Sequence, residues 1–193
     1  MGRTSIRYLI LPGWHGSPDD HWQSHWQRLL PNSARVEQAD WHAPQKAAWI
    51  AALDQAVEAS SEPTVLVAHS LGCVTVAHWA AQASAARVAR VRGALLVAPA
   101  DVERPGRPDA LRDFAPLPRA RLPFPSVLVG SDNDPAMAAE RAVALGRAWG
   151  SDVTVLPNAG HINVASGHRH WERGFAHLYR LQRLIESQLR RTA

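Results

Sequence analysis

Val65-Leu-Val-Ala-His-Ser-Leu-Gly72 is the stretch that decides the fold of this chain. Residues Thr64–Ala68 form a continuous apolar run, which is typical of a strand buried on both faces of a parallel sheet. The segment Leu71–Ala86 is rich in alanine and has no internal proline, so it predicts a helix. Ser70 therefore lies at the turn between a buried strand and a helix.

Residues 68–72 match the Gly-x-Ser-x-Gly sequence of a nucleophile elbow, except that Ala68 replaces the first glycine. In such a turn the serine backbone is strained, and the strand and helix nearly touch, so the flanking residues must be small. Alanine meets that requirement. We therefore expect Ser70 to be a catalytic nucleophile.

Chain length and composition predict one domain over residues 1–193. A chain of 193 residues, 46% of them hydrophobic, can form one well-buried core but not two large ones. No apolar run reaches the roughly 18 residues of a membrane-spanning helix. The N-terminus lacks the apolar core of a signal peptide, and the single cysteine, Cys73, cannot form an internal disulfide; both features predict a cytoplasmic protein. Cys73 is expected to be a packing residue rather than a second nucleophile.

The net charge of +4 raises the question of a nucleic-acid partner. Lys46 is the only lysine, and the arginines are scattered, with the densest group on a predicted C-terminal helix where apolar residues separate them. That pattern is typical of a solvated helix face. Because no nucleic-acid-binding motif or aromatic-interleaved basic patch is present, we expect no nucleic-acid partner.

The order of the predicted elements indicates an α/β fold. Apolar runs bounded by turn residues alternate with helical patterns, which favours a mostly parallel sheet with helices on both faces and right-handed crossovers. The expected architecture is a three-layer sandwich of about six strands. The predicted strands are residues 6–11, 34–38, 64–68, 91–98, 126–130 and 152–156, and the main helices are 44–59, 71–86, 135–149 and 171–190.

Residues 99–125 differ in character from the rest of the chain, because they contain seven of its fourteen prolines. Such a density of proline opposes regular helix or sheet, so we predict a long surface excursion with one helical turn at Asp109–Phe114. Long loops in compact domains are often functional, which makes this segment a candidate for covering the substrate.

Polar or glycine-rich segments follow four of the predicted strands. They are Gly13–Gly16, Ser70, Ser131–Pro135 and Asn158–Asn163. Since ligands of open parallel sheets bind beyond the carboxyl ends of the strands, we expect these segments to meet. A serine, an acid and a histidine in that chain order form the α/β-hydrolase arrangement.

His161 is the candidate general base, because a serine hydroxyl needs a neighbouring base to take its proton during attack. His69 adjoins the nucleophile but points to the other side of the elbow, which favours a structural role. No cysteine or carboxylate set completes a metal site around the histidine pairs with suitable spacing, and no phosphate-binding glycine motif exists, so neither a metal nor a cofactor is expected. Those pairs are His21 with His25 and His168 with His170.

The acid that orients the histidine has three candidates. Asp132 and Asp134 both follow the fifth predicted strand, and Asp101 follows the fourth. Each of the three carboxylates could instead cap a turn or a helix.

The oxyanion that forms during acyl transfer needs two backbone N–H donors. Leu71 supplies one at the start of the helix, and Trp14 in the glycine-containing loop after the first strand is the best candidate for the other. The side chains expected to line the substrate entrance are His15, Trp22 and Trp41, although any of these tryptophans could belong to the core.

Further short motifs extend over nearly the whole chain. They are Leu11-Pro-Gly13, Asp20-His-Trp-Gln23, Asp40-Trp41 with Pro44, Ala68-His-Ser-Leu-Gly72, Leu122-Pro-Phe-Pro-Ser126, Asn133-Asp-Pro135 and Gly160-His-Ile-Asn163. With these motifs the chain resembles the small α/β-hydrolases of the retinoblastoma-binding-protein-nine/YdeN serine hydrolase family. The resemblance implies a compact fold without a large cap domain, and it places the family's serine, aspartate and histidine on Ser70, Asp134 and His161, which favours Asp134 over Asp132.

The sequence thus predicts a metal-independent serine hydrolase acting on a small ester, or else on an amide or thioester. Two other classes stay open. One is a partner-binding protein that keeps the fold without turnover, which the family's name suggests. The other is an acyltransferase, in which an acceptor alcohol or amine replaces water.

Overall fold

A six-stranded sheet with all strands parallel forms the centre of the molecule, and the computed structural model describes residues 5–192. The strands are β1 (Arg7–Leu11), β2 (Ser33–Arg35), β3 (Thr64–His69), β4 (Val91–Val97), β5 (Ser126–Ser131) and β6 (Asp152–Leu156). Their spatial order is β2-β1-β3-β4-β5-β6. All six residues of β3 are buried, as expected for a central parallel strand that packs on both faces.

Helices cover both faces of the sheet. They are α1 (Trp22–Leu29), α2 (Lys46–Glu58), α3 (Leu71–Gln82), α4 (Ala85–Val88), α5 (Ala139–Trp149) and α6 (Phe175–Thr192). Side chains of α2, α3 and α5 pack against one face, where Trp49, Trp79 and Trp149 are almost completely buried. Side chains of α1 and α6 pack against the other face, around Trp22 and Trp26. The predicted three-layer α/β sandwich is confirmed.

The direction of winding reverses between β1 and β3. The chain runs from β1 to β2 at one edge of the sheet, and it then returns to place β3 on the other side of β1. Such a reversal opens a crevice at the carboxyl ends of the two neighbouring strands, where ligands bind in open α/β sheets. In this molecule, Gly13 and Ser70 lie just beyond those two strand ends.

The proline-rich segment 99–125 contains one 3-10 helix, Asp109–Phe114, where the sequence predicts a helical turn. The expectation of a surface excursion is wrong for its larger hydrophobic side chains, because these enter the core against α2, α3 and α5. They are Leu111, Phe114, Leu117, Leu122 and Phe124. The segment adds no large cap to the fold, and its covering of a substrate stays a prediction.

Within residues 5–192, no helix combines the length and apolar character needed to cross a membrane.

Candidate active site

Ser70 occupies a strained turn at the carboxyl end of β3. Its backbone dihedral angles are φ 54° and ψ −119°, a combination that costs free energy in a residue with a β-carbon. Two backbone hydrogen bonds hold the turn: the Ser70 N–H donates to the Val97 carbonyl at 3.0 Å, and the Cys73 N–H donates to the Ser70 carbonyl at 3.0 Å. Strain that the surrounding structure maintains is typical of functional positions.

The second elbow glycine, Gly72, is required by the packing of α3 against β1. A β-carbon at residue 72 would lie 2.4 Å from the carbonyl oxygen of Leu11, and backbone atoms cannot yield to that clash. Ala68, at the position of the missing first glycine, is fully buried within the core. The elbow therefore forms in this chain with alanine before the serine.

His161 joins Ser70 to Asp134. The His161 Nε2 lies 2.9 Å from the Ser70 Oγ, and the Nδ1 lies 2.9 Å from each carboxylate oxygen of Asp134. Because an ionised carboxylate only accepts hydrogen bonds, Nδ1 carries the proton of the neutral ring, and Nε2 is left to accept from the serine hydroxyl. The Asp134 side chain is 1% exposed, and the Ala136 N–H donates to its Oδ1 at 2.8 Å.

The other two candidate acids have different partners. Asp132 accepts a hydrogen bond from the Asn158 N–H at 2.7 Å and thereby ties the loop after β6 to the loop after β5. Asp101 is buried in an ion pair with Arg141, with a separation of 2.5 Å. The structure therefore brings Asp134, and neither alternative, against the His161 ring.

Some backbone amides of the loop after β1 are engaged in hydrogen bonds within the protein, but that of Trp14 is not. The His15 N–H donates to the Trp41 carbonyl, and the Gly16 N–H donates to the Gly13 carbonyl, each at 2.9 Å. Among the described residues, neither the Trp14 N–H nor the Leu71 N–H has a hydrogen-bond partner. These are the two amides expected to bind an oxyanion. The left-handed position of the turn is taken by His15, with φ 69°, as well as by Gly16.

Two of the side chains expected at the entrance stay accessible to solvent. His15 is exposed, stacks on the Trp14 ring with centroids 4.0 Å apart, and places its Nδ1 2.8 Å from the Nδ1 of His42. Trp41 is half-buried and meets Trp49 edge to face. Both belong to the loops beside Gly13.

Trp22 does not line the entrance, so that expectation is wrong. Its side chain is fully buried on the opposite face of the sheet, within an aromatic cluster that includes Trp26 and Trp171. The α1 helix directs the ring inwards because Trp22 and Trp26 are four residues apart and share one helix face.

His69 and Cys73, which flank Ser70 in the sequence, are both buried. His69 is 5% exposed, and burial among other histidines holds its pKa well below the usual 6.5. Cys73 is completely buried, burial raises the pKa of its thiol, and its Sγ–H donates to the Val97 carbonyl at 3.4 Å. Within the described part of the chain, no three histidine, cysteine or acidic side chains converge in a way that could hold a metal ion.

Gln23 is a structural residue that sequence reasoning missed. It is fully buried, and its side-chain amide donates to the carbonyls of Leu11 and Val67 at 3.0 Å each. It thereby ties the ends of β1 and β3 beside the elbow. A glutamine directly beside Trp22 at the start of the predicted helix was the available signal, since a buried amide needs hydrogen-bond partners.

Two further side chains were also missed, one at the last position of β5 and one in the loop that follows it. Ser131 Oγ accepts from the Ala159 N–H at 3.0 Å, and Asn133 Oδ1 accepts from the Gly160 N–H at 2.7 Å. Together with Asp132 they hold the approach to His161. Their position at or just after the end of a parallel strand was visible in the sequence, but their partners were not.

Comparison with known proteins adds a family assignment. The model of a family described as serine hydrolase matches residues 8–180. A YdeN-like hydrolase from Pectobacterium atrosepticum is 31% identical, with 94% of this chain and 89% of that chain covered and a TM-score of 0.76. The ydeN gene product of B. subtilis is 16% identical, with 92% and 98% covered and a TM-score of 0.76.

A thioesterase named RedJ, from Streptomyces coelicolor, is 17% identical, with 91% of this chain and 90% of that chain covered and a TM-score of 0.65. At that identity the likeness extends to the fold alone. A comparison with curated proteins gave no match.

Proposed function

The chain belongs to the serine hydrolase family, and we propose that it hydrolyses a small carboxylic ester through an acyl-enzyme on Ser70. The observation that carries this proposal is the continuous chain of hydrogen bonds from Asp134 through His161 to the serine hydroxyl, each link 2.9 Å long. The serine at the end of that chain stands on a strained elbow, which is how a nucleophile is presented in this fold.

The first half of the reaction uses the base and the nucleophile together. Ser70 Oγ attacks the carbonyl carbon of the ester while its proton passes to His161 Nε2. Asp134 keeps the ring in the tautomer that can accept this proton, and it stabilises the imidazolium that results. The backbone N–H groups of Trp14 and Leu71 donate to the oxygen that becomes negative.

The tetrahedral intermediate then collapses. The bond to the leaving alcohol breaks as His161 returns the proton to that oxygen, and an acyl group stays on Ser70. Water attacks the acyl carbon with His161 again acting as the base, which releases the carboxylic acid and restores the free serine. The two halves together convert ester and water into acid and alcohol, and no further reactant is needed.

A series of p-nitrophenyl esters of increasing acyl length tests the proposal when wild type is run beside Ser70→Ala. We expect turnover by wild type and none above background by the variant. A matched control is Ser126→Ala. Ser126 is also buried, but it begins β5, and its hydroxyl forms a hydrogen bond with that of Ser151. If no ester is turned over above the Ser70→Ala level, the esterase assignment fails.

The same assay separates the alternatives. Amide and thioester analogues of the best acyl group identify the preferred bond, and an added alcohol or amine acceptor reveals acyl transfer if it diverts the product. A fluorophosphonate probe reports on the nucleophile without turnover. A folded wild-type protein that the probe does not label would favour the partner-binding alternative.

A further inference from the structure

The backbone next to His161 is held in a conformation that its sequence does not favour. Ile162 has φ 46°, in the left-handed region, where a β-branched side chain is a clear outlier. Its own N–H donates to the Ala159 carbonyl at 3.2 Å, which closes a turn through the histidine. A strained turn of this kind persists only where the surroundings hold it.

Two buried side chains bond to the carbonyls on either side of the strained residue's N–Cα bond. His69 Nε2 lies 2.9 Å from the carbonyl oxygen of His161, and the Trp22 Nε1–H donates to the carbonyl of Ile162 at 2.9 Å. Since a carbonyl oxygen only accepts, the bonded nitrogen of His69 carries its proton. We call this pair of donors the carbonyl clamp.

The carbonyl clamp is fixed to rigid parts of the molecule. His69 is the last residue of β3 and directly precedes the nucleophile, while Trp22 is the first residue of α1. Their rings are perpendicular, with centroids 6.0 Å apart, and both side chains are at most 5% exposed. Neither donor can move without disturbing the core beneath it.

No other side chain takes over this task at His161 and Ile162. The bonds from Asp132, Ser131 and Asn133 reach residues 158–160, and the next anchored point is Asn163, whose amide and side chain exchange hydrogen bonds with Ser166. Among the described residues, the carbonyls of His161 and Ile162 therefore receive side-chain hydrogen bonds from the carbonyl clamp alone.

The clamp also suits the electrostatics of the site. The His69 ring centroid is 4.9 Å from that of His161, so a positive charge there would oppose the imidazolium that forms during catalysis. Burial keeps the pKa of His69 low, and the ring therefore stays neutral while it donates. An indole N–H likewise donates without carrying charge.

We propose that Trp22 and His69 are positioning residues that hold His161 within reach of Ser70 by fixing the carbonyls of His161 and Ile162. Without either donor, Ile162 relaxes toward ordinary backbone angles, and the imidazole turns away from the serine hydroxyl. The inference rests on the proposed function of His161 as the base. It predicts that the side chains act on the chemical step and leave substrate binding almost unchanged.

Trp22→Phe compared with Trp26→Phe tests the tryptophan. The two side chains are matched, because both are fully buried on α1 and both donate an indole N–H to a backbone carbonyl, Trp26 to that of His170 at 3.3 Å. We expect Trp22→Phe to lower kcat by about tenfold or more with KM nearly unchanged, whereas Trp26→Phe lowers Tm comparably but leaves kcat within about threefold. Equal losses of kcat in the two variants would overturn the proposal.

His69→Gln compared with His69→Met tests the histidine. The glutamine amide can place an N–H donor near the original Nε2, so this variant is expected to regain much of the kcat that the methionine variant loses. If the glutamine and methionine variants are equally impaired, or both are unimpaired, the hydrogen bond of His69 does not position the base.

A proton NMR signal of His161 gives a readout that does not depend on turnover. The Nδ1–H bonded to Asp134 is expected to resonate at low field, and loss of this signal in Asp134→Asn would assign it. We expect the signal to broaden in Trp22→Phe and His69→Met and to persist in Trp26→Phe. If that pattern holds while Ser70→Ala still turns over substrate, the proposed function fails and the carbonyl clamp stands.

Discussion

Gly13 lies directly against Ser70, because a β-carbon at residue 13 would stand 2.7 Å from the Ser70 Cβ and 3.2 Å from its Oγ. Only a residue without a side chain allows the loop after β1 to approach Ser70 this closely. The φ angle of Gly13 is not in the left-handed region, so the requirement for glycine here is one of space rather than of backbone freedom.

Gly13→Ala is expected to lower kcat/KM by about 10²-fold, since either the serine or the Trp14 amide must shift by an appreciable fraction of an ångström. Ester hydrolysis and thermal unfolding measure the two effects separately. Gly106→Ala is the control. An added β-carbon there meets no neighbouring atom, so the only cost of the substitution is the backbone strain of an alanine at φ +71°. An active Gly13→Ala variant would mean that the loop is not placed for the oxyanion.

Asp134→Asn is expected to lower kcat by about 10⁴-fold with little change in Tm, because an amide in place of the carboxylate favours the wrong tautomer of His161. The matched control lies two residues earlier. Asp132→Asn keeps a side-chain oxygen that can still accept from the Asn158 N–H, so its kcat is expected to stay close to that of wild type. Comparable losses of kcat in both variants would contradict the assignment of Asp134 as the acid that orients His161.

Stability is expected to fall as the pH drops below 6.5. Burial and the nearby Arg35 lower the pKa of His21 from its ordinary 6.5 to about 4. Between those values the unfolded chain binds more protons than the folded one, so the free energy of unfolding rises with pH across this window and levels off above it. His69 acts in the same direction, because burial lowers its pKa as well.

Urea denaturation at pH 7.5, 6 and 5 measures how steeply the free energy of unfolding changes with pH. The variant His21→Asn shows how much of that slope comes from His21. His21 caps α1 by accepting from the Gln23 N–H at 3.2 Å, and an asparagine side chain can replace that acceptor without titrating. The variant is expected to have a smaller slope between pH 5 and 6.5. A slope identical to that of wild type would show that His21 does not contribute.

Cys73 is expected to resist thiol reagents in the folded protein, because the side chain is buried and the thiolate form is disfavoured there. Titration with a chromogenic disulfide should label one thiol per chain only after denaturant is added. Retained ester hydrolysis in Cys73→Ala would confirm that the thiol has no part in the reaction. Loss of turnover in a folded Cys73→Ala would contradict this.

The hydrophobic pattern of the sequence was sufficient for the sheet and its helices, because buried strands such as β3 are apolar throughout. The positions of Ser70 and His161 beyond strand ends could be predicted from the apolar runs that precede them. Helix starts were less predictable. The predicted helix over 135–149 begins at Ala139, since Asp134 Oδ1 draws the Ala136 N–H into a turn, and the one predicted from Trp171 begins as α6 at Phe175, since Trp171 has φ 47°.

The contacts of Trp22 and His69 could not be predicted in the same way. Their hydrogen bonds span 140 and 92 residues of sequence, and they depend on how α1 packs against the sheet rather than on any local pattern. The left-handed Ile162 leaves no signal either, because a β-branched residue disfavours that conformation. Only the folded neighbours supply the reason for it.

His161 and Ser70, the proposed base and the proposed nucleophile, depend on strands with unequal protection from solvent. β3, which presents Ser70, is central and wholly buried, whereas β6, which leads to His161, is an edge strand whose five side chains are all partly exposed. Fraying begins at such edges, with a free energy well below that of global unfolding. Turnover is therefore expected to vanish at a lower denaturant concentration than the one at which the far-UV circular dichroism signal of the sheet is lost. The enzymatic rate would then report on whether the β6 edge of the sheet is intact.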